Sequence, residues 1–156
     1  MKNSANSNMK KLANNLVLFY LLSFTWGILM SFIGLLVMIP FLLTGKVKTI
    51  SGRLYGVFPK KFGKGWGFEL GCFFFTSYDC YDCSTILFHE MGHGIQNIFY
   101  GPFMLFIVSI PSMIRFWYRE IQMKKHPEKR LKPYDSIWFE SQATNWGIEC
   151  FGTTEF

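Results

Sequence analysis

Two long uncharged runs set the pattern of the chain. Residues 16–43 are 28 positions without Asp, Glu, Lys or Arg, rich in Leu, Ile, Phe and Met. An α-helix needs about 20 apolar residues to cross a bilayer, so the run predicts one tilted transmembrane helix, with Pro40 near its end where a kink costs little. The run is too long for a signal-peptide core and no small-x-small cleavage site follows it, so an uncleaved anchor is expected. Ser23, Gly27 and Ser31, at i, i+4 and i+8, form a small-residue stripe along which another helix can pack. The 15 residues before the run are polar and predict a disordered tail.

The second run, residues 94–114, is interrupted by Gly101-Pro102 and Pro111 and has basic residues on both sides. No third run brings the chain back. It reads as two short helices broken at the prolines, buried in the domain or lying in the bilayer surface. A crossing helix is the alternative, and would make an intramembrane protease with its metal at depth. Between the runs, residues 46–79 alternate glycines with short aromatic and β-branched stretches. They predict an antiparallel hairpin of 53–58 and 66–76 around a basic loop, 59–65. Ser84 and Thr85 are plausible caps for a following helix. Residues 116–133 read as a charged loop or headgroup contact, and 136–150 as a last helix. The fold expected is α+β: an N-terminal transmembrane helix, a short hairpin or small sheet, then a helical core, with tail 1–15, span 16–43 and membrane-associated domain 46–156.

Composition strengthens the bilayer reading. Half of the 156 residues are hydrophobic and 18 are Phe. The formal charge of +6 comes from basic residues flanking the apolar stretches, with no nucleic-acid reader motif among them, so lipid headgroups are the expected partner and nucleic acid is not. Lys2, Lys10 and Lys11 precede the span; Lys46, Lys48, Arg53, Lys60, Lys61 and Lys64 follow it. The positive-inside rule therefore predicts a single-pass protein with its main part in the cytoplasm. Cys80 and Cys83 form a lone C-x-x-C without a thioredoxin-like setting, and the spacing to His89 is too short for a finger-type site. With Cys72 and Cys150 they are expected to be plain thiols.

The chemistry lies in His89-Glu90-Met91-Gly92-His93, an H-E-x-x-H in a chain with only three histidines. On a helix, residues four apart share a face, so both imidazoles can converge on one Zn²⁺ while Glu90, about 100° round the turn, reaches a water as general base. A catalytic zinc needs a third protein ligand and an open position. A metzincin would have Gly and His where this chain has Gln96 and Phe99. Glu140, 47 residues beyond His93, is the leading candidate; Asp135, Glu149, Cys72 and His126 remain alternatives.

H-E-x-x-H followed by Glu140 and, three residues on, Ala143 resembles the gluzincin branch of zinc metallopeptidases. Thr144 stands where those proteins often carry an Asp that steadies a zinc-bound imidazole, with Asn145 as a substitute. Met91-Gly92, Gln96, Gly101-Pro102 and Ile110-Pro111-Ser112 look similar to small membrane-associated bacterial zincins of unassigned substrate. The resemblance covers residues 84–150 and implies a zincin-like core hydrolysing peptide bonds of a peptide or protein substrate near the membrane. Tyr118, His126 and Tyr134 are candidates, by residue type, for steadying an oxyanion. The competing expectation is a non-enzymatic membrane protein with a structural metal or none.

Overall fold

The computed structural model describes residues 2–80 and 82–152. Tyr81 of the C-x-x-C and residues 153–156 of the expected domain fall outside them. The polar N-terminus, expected to be disordered, is helix α1 (Lys2–Asn14). Its sequence is a poor helix former, and tertiary contact supplies the stability instead. Met9 and Ala13 are buried, Asn14 Nδ2 donates to the Cys150 carbonyl at 3.1 Å, and the Arg53 guanidinium donates to the Ala13 carbonyl at the helix end.

The first apolar run is not one helix. It forms α2 (Leu16–Thr25) and α3 (Ile28–Leu43), bent by 102° at Trp26-Gly27. Among the described residues no single helix is long and apolar enough to cross a membrane; the bent pair has the length and composition only when taken together. Asn15 starts α2 by accepting from the Leu18 amide at 3.1 Å. Gly27 is required at the bend because a Cβ there would fall 2.3 Å from Asn97 Nδ2. The small-residue stripe does permit close approach, but to the rest of this domain: Ser31 lies against the Gly71 backbone, and Ser23 and Ser31 are both buried.

The sheet departs from the expected hairpin. It has four strands, β1 (Val47–Ile50), β2 (Arg53–Phe58), β3 (Gly67–Leu70) and β4 (Phe73–Ser77), in the order β1-β2-β4-β3. Gly71, at φ +72, folds the stretch 66–76 back on itself, so that β3 and β4 are antiparallel partners. β4 then pairs parallel with β2, Leu54 opposite Phe73, and β1 closes the far side antiparallel. All of β4 is buried: three Phe fill its first part, and the buried Thr76 and Ser77 at its end bond to the backbone of Trp66. β3 is left as an edge strand.

Helix α4 (Ser84–Tyr100) crosses beside β3. Cys83, not Ser84 or Thr85, occupies its cap position, and no side chain bonds there. The helix ends as expected at Gly101, φ +54, followed by Pro102. After a short turn (Gly101–Phe103) and a widened one (Leu105–Ser109), the chain continues as α5 (Ile110–Lys125), 115° away from α4. Pro111 does not break it: in the first turn its missing N–H is no loss. Only the segment after Lys125 is the expected charged loop. It leads through a turn (Tyr134–Ser136) into α6 (Trp138–Phe151).

Candidate metal centre

Helices α4 and α6 run antiparallel at very short range, and glycine makes this possible. A Cβ on Gly92 would sit 1.9 Å from the Ala143 carbonyl oxygen, and one on Gly147 would sit 1.8 Å from that of Phe88. Glu140, Ala143 and Gly147 fall on one face of α6, as Phe88, Gly92 and Gln96 do on α4. This seam carries Glu140 to the two histidines of the motif.

His89 Nε2, His93 Nε2 and Glu140 Oε2 form a triangle with sides of 3.2, 3.1 and 3.2 Å. Nitrogen and oxygen ligands at about 2.0–2.1 Å from a tetrahedral metal are about 3.3–3.4 Å apart, so the triangle has the size of one face of such a site. Glu140 is fully buried, and its Oε1 has no hydrogen-bond partner. An uncompensated carboxylate oxygen in this position is costly, and a cation beside it removes much of that cost. The group His89, His93 and Glu140 can hold a metal ion.

Hydrogen bonds behind the imidazoles aim their Nε2 atoms. Gln96 Nε2 donates to the Phe139 carbonyl at 2.8 Å and to Gln142 Oε1 at 2.9 Å, which uses both of its protons. Gln96 Oε1, 2.8 Å from His93 Nδ1, must therefore accept, and His93 Nδ1 must carry a proton. In the neutral ring that leaves the Nε2 lone pair facing the triangle. Tyr100 extends the chain by donating to Gln142 Oε1 at 2.7 Å. His89 Nδ1 lies 2.9 Å from Thr144 Oγ1, so the residue at the departure from the gluzincin pattern bonds to the imidazole itself. Asn145 is exposed and reaches only Ser141, at 3.5 Å.

Charges around the triangle are strongly biased. Burial alone raises the Glu140 carboxyl, but the two imidazoles outweigh it and hold the group far below the usual carboxylate range, with Ser112 assisting. Without a cation this requires an imidazole proton between ring and carboxylate; a metal ion replaces that proton. Glu90 is buried on the β3 side of α4. Burial pushes it up to about 7, against the pull of His89 and with the charge of Glu140 adding to the rise. Gly67 of β3 presses on this residue: a Cβ there would lie 3.1 Å from Glu90 Cγ.

The other candidates lie elsewhere. Asp135 and Glu149 are exposed, and His126 lies 3.6 Å from Glu128 beyond the end of α5. Cys72 is buried at the β3–β4 turn, where burial pushes its thiol up to about 12 despite Ser31. All four cysteines are free. Tyr118 is exposed on α5. Of the candidate oxyanion donors, Tyr134 is the one brought to the site: its ring lies 6.3 Å from that of His89 and its hydroxyl 3.0 Å from Ser112 Oγ. Burial raises the phenol to about 12, and the charge of Glu140 adds to the rise, so it stays a proton donor. The sequence named Gln96, Ser112 and Thr144 only as parts of a pattern. The i, i+3 spacing of His93 and Gln96 was the signal available for one of them.

Comparison with protein-family models, with curated proteins and with solved structures gives no match for this chain.

Proposed function

We propose that the chain is a membrane-anchored zinc metallopeptidase that uses His89, His93 and Glu140 as metal ligands and Glu90 as general base. The observation that carries this reading is the 3.1–3.2 Å triangle of two imidazole nitrogens and one carboxylate oxygen, with its ring orientations fixed from behind. Two His and one Glu, with no fourth His, Cys, Asp or Glu in the group among the described residues, is the ligand count of a catalytic zinc rather than of a closed structural one. When bound, zinc supplies a Lewis acid for the scissile carbonyl and acidifies water at neutral pH.

The residues of the chain do the rest. Glu90 takes the proton from the attacking water and returns it to the leaving nitrogen; a buried carboxyl whose affinity for a proton is raised suits both halves of that cycle. Tyr134 donates to the developing oxyanion, for which its hydroxyl has to leave Ser112. β3, an edge strand pressed against Glu90, offers unpaired backbone groups to an extended peptide, which adds as a further strand. The bent α2–α3 pair anchors the protein, with Val17, Leu21, Phe32, Leu36 and Leu43 exposed on it. In place of the expected single pass, the 102° bend, with Lys10 and Lys11 before it and Lys46 and Lys48 after it, suits a segment whose two ends stay on the cytoplasmic membrane face.

The test is metal content and peptide hydrolysis by the full chain in detergent. Wild type is expected to hold one zinc per chain and to cleave peptides, His93→Ala to lose the metal, and Glu90→Gln to keep the metal without cleaving. A metallated wild type that cleaves no member of a diverse peptide library leaves the non-enzymatic reading in its place.

A further inference from the structure

Helix α5 has two faces with different work. Ser112, Arg115 and Arg119, at i, i+3 and i+7, are half-buried and turn toward the protein. Ser112 meets Tyr134. Arg115 donates to the carbonyls of Pro133 and Tyr134 at 2.8 and 3.0 Å and to Ser136 Oγ at 2.9 Å, and Arg119 donates to the Lys132 carbonyl. Both guanidiniums lie 5.7 Å from the Tyr134 ring. This face braces the segment that carries Tyr134 to His89.

Among the described residues the opposite face has no partner. Ile110, Ile114, Trp117 and Ile121 recur at i, i+4, i+7 and i+11, about 150–180° round the helix from the arginine face. Ile114, Trp117 and Ile121 are 61, 58 and 48% exposed, and no residue of α5 is buried. The stripe ends at Lys124 and Lys125, which straddle it; Lys124 lies 4.0 Å from Glu120 one turn back, a solvent-screened pair that leaves its ammonium group largely exposed. An apolar stripe containing Trp, closed by two lysines, on a chain of net charge +6, is complementary to an anionic bilayer: acyl chains for the stripe, headgroups for the ammonium groups. A protein partner would have to combine an apolar groove with carboxylates at its edge, whereas an anionic bilayer presents acyl chains and anionic headgroups together.

We infer that α5 lies in the membrane interface, its outer stripe in an anionic lipid surface and its inner face toward the metal centre. The site then stands about one helix diameter, roughly 10 Å, from the lipid. Its substrates are peptide segments lying along or just emerging from that surface; this consequence rests on the peptidase reading, whereas the docking of α5 does not.

The test is a depth profile along α5 in the full chain. Single nitroxides are placed at Ile114→Cys, Trp117→Cys and Ile121→Cys on the stripe, at Phe116→Cys and Met123→Cys off it, and at Glu128→Cys in the loop, all in a Cys83→Ser background. The protein is reconstituted in vesicles of phosphatidylcholine and phosphatidylglycerol, and relaxation by oxygen is compared with relaxation by a water-soluble nickel chelate. The oxygen-to-nickel ratio is expected to be several-fold higher at 114, 117 and 121 than at 128, and to fall back at 116 and 123. Ratios at 114, 117 and 121 equal to that at 128 overturn the proposal, as does exclusion of both relaxants there, which means a protein partner or a second copy, or high ratios at all five helix positions, which mean a buried or crossing helix. Zinc is measured on each labelled chain; a periodic profile on metal-free protein supports the docking and overturns the peptidase reading alone.

Discussion

The two bent helix pairs turn by similar angles, 102° and 115°, yet only the second ties its buried side chains into a network that reaches another helix. In α2–α3 the polar groups are few and bond only to the backbone or not at all: Tyr20 donates to the Gly52 carbonyl at 3.0 Å, Thr25 to the Leu21 carbonyl at 2.7 Å, the buried Ser23 hydroxyl has no partner, and the outside is mostly Val, Leu, Ile and Phe. In α4, Glu90, His93, Gln96 and Asn97 are all buried, and His93 and Gln96 are tied by hydrogen bonds to each other and to α6. Small residues serve both regions. In α2–α3 they let the helices settle against the domain; in α4–α6 they set a distance that a metal site needs to within a few tenths of an ångström. An apolar surface tolerates many arrangements, whereas a directional polar seam tolerates one.

Closing the seam at its tightest point is the severest way to break that contrast. Gly92→Val drives a side chain into the Ala143 carbonyl, a backbone atom that cannot swing aside, and is expected to cost about 3 kcal/mol or more and to abolish metal binding, by denaturation and metal analysis. Survival of the metal in that variant would mean that the helices are further apart than described. Next, Tyr134→Phe is expected to lower kcat by roughly 10²–10³-fold with metal content unchanged. An equal kcat would remove Tyr134 from the mechanism and leave it a wall of the site.

Smaller effects sharpen the picture. Thr144→Val removes the acceptor for His89 Nδ1 without changing the ligands, and should weaken zinc about 10–100-fold in a chelator competition. Glu69, buried on β3, is held well above its ordinary value by burial and then by the charge of Glu90. A raised carboxyl favours folding most below its unfolded value, near pH 4.3, and loses that contribution as pH climbs toward the folded value. Glu69→Gln should therefore raise the melting temperature at neutral pH by more than it does at pH 4; a difference independent of pH would contradict this. On the outside of the anchor, Leu36→Ser, at a half-exposed position, should leave metal content and melting in detergent almost unchanged.

Much of the site could be read in the sequence, because helical spacing alone puts His89 and His93 on one face and a later helix was expected to carry Glu140. β2 and the break at Gly101-Pro102 were equally legible, from β-branched and aromatic residues in one case and a left-handed glycine before proline in the other. The rest depended on contacts between distant segments. Nothing local in a polar N-terminus announces that Arg53 will hold the end of its helix. An uncharged run shows length but not a bend, and the side chain packed against the bend at Gly27, Asn97, lies 70 residues away. The parallel pairing of β2 with β4 is likewise decided by the fold of Gly71, not by either strand's pattern. Thr144 looked like a loss because its type departs from the expected Asp; its position on α6 is what matters.

X-ray absorption at the zinc edge of the purified full chain tests the central claim most directly. One zinc per chain with two imidazole nitrogens and carboxylate oxygen near 2.0–2.1 Å, and no sulfur, is the predicted spectrum, with the carboxylate contribution lost in Glu140→Ala. A sulfur shell, or wild-type protein that retains no metal after exposure to zinc, would contradict it.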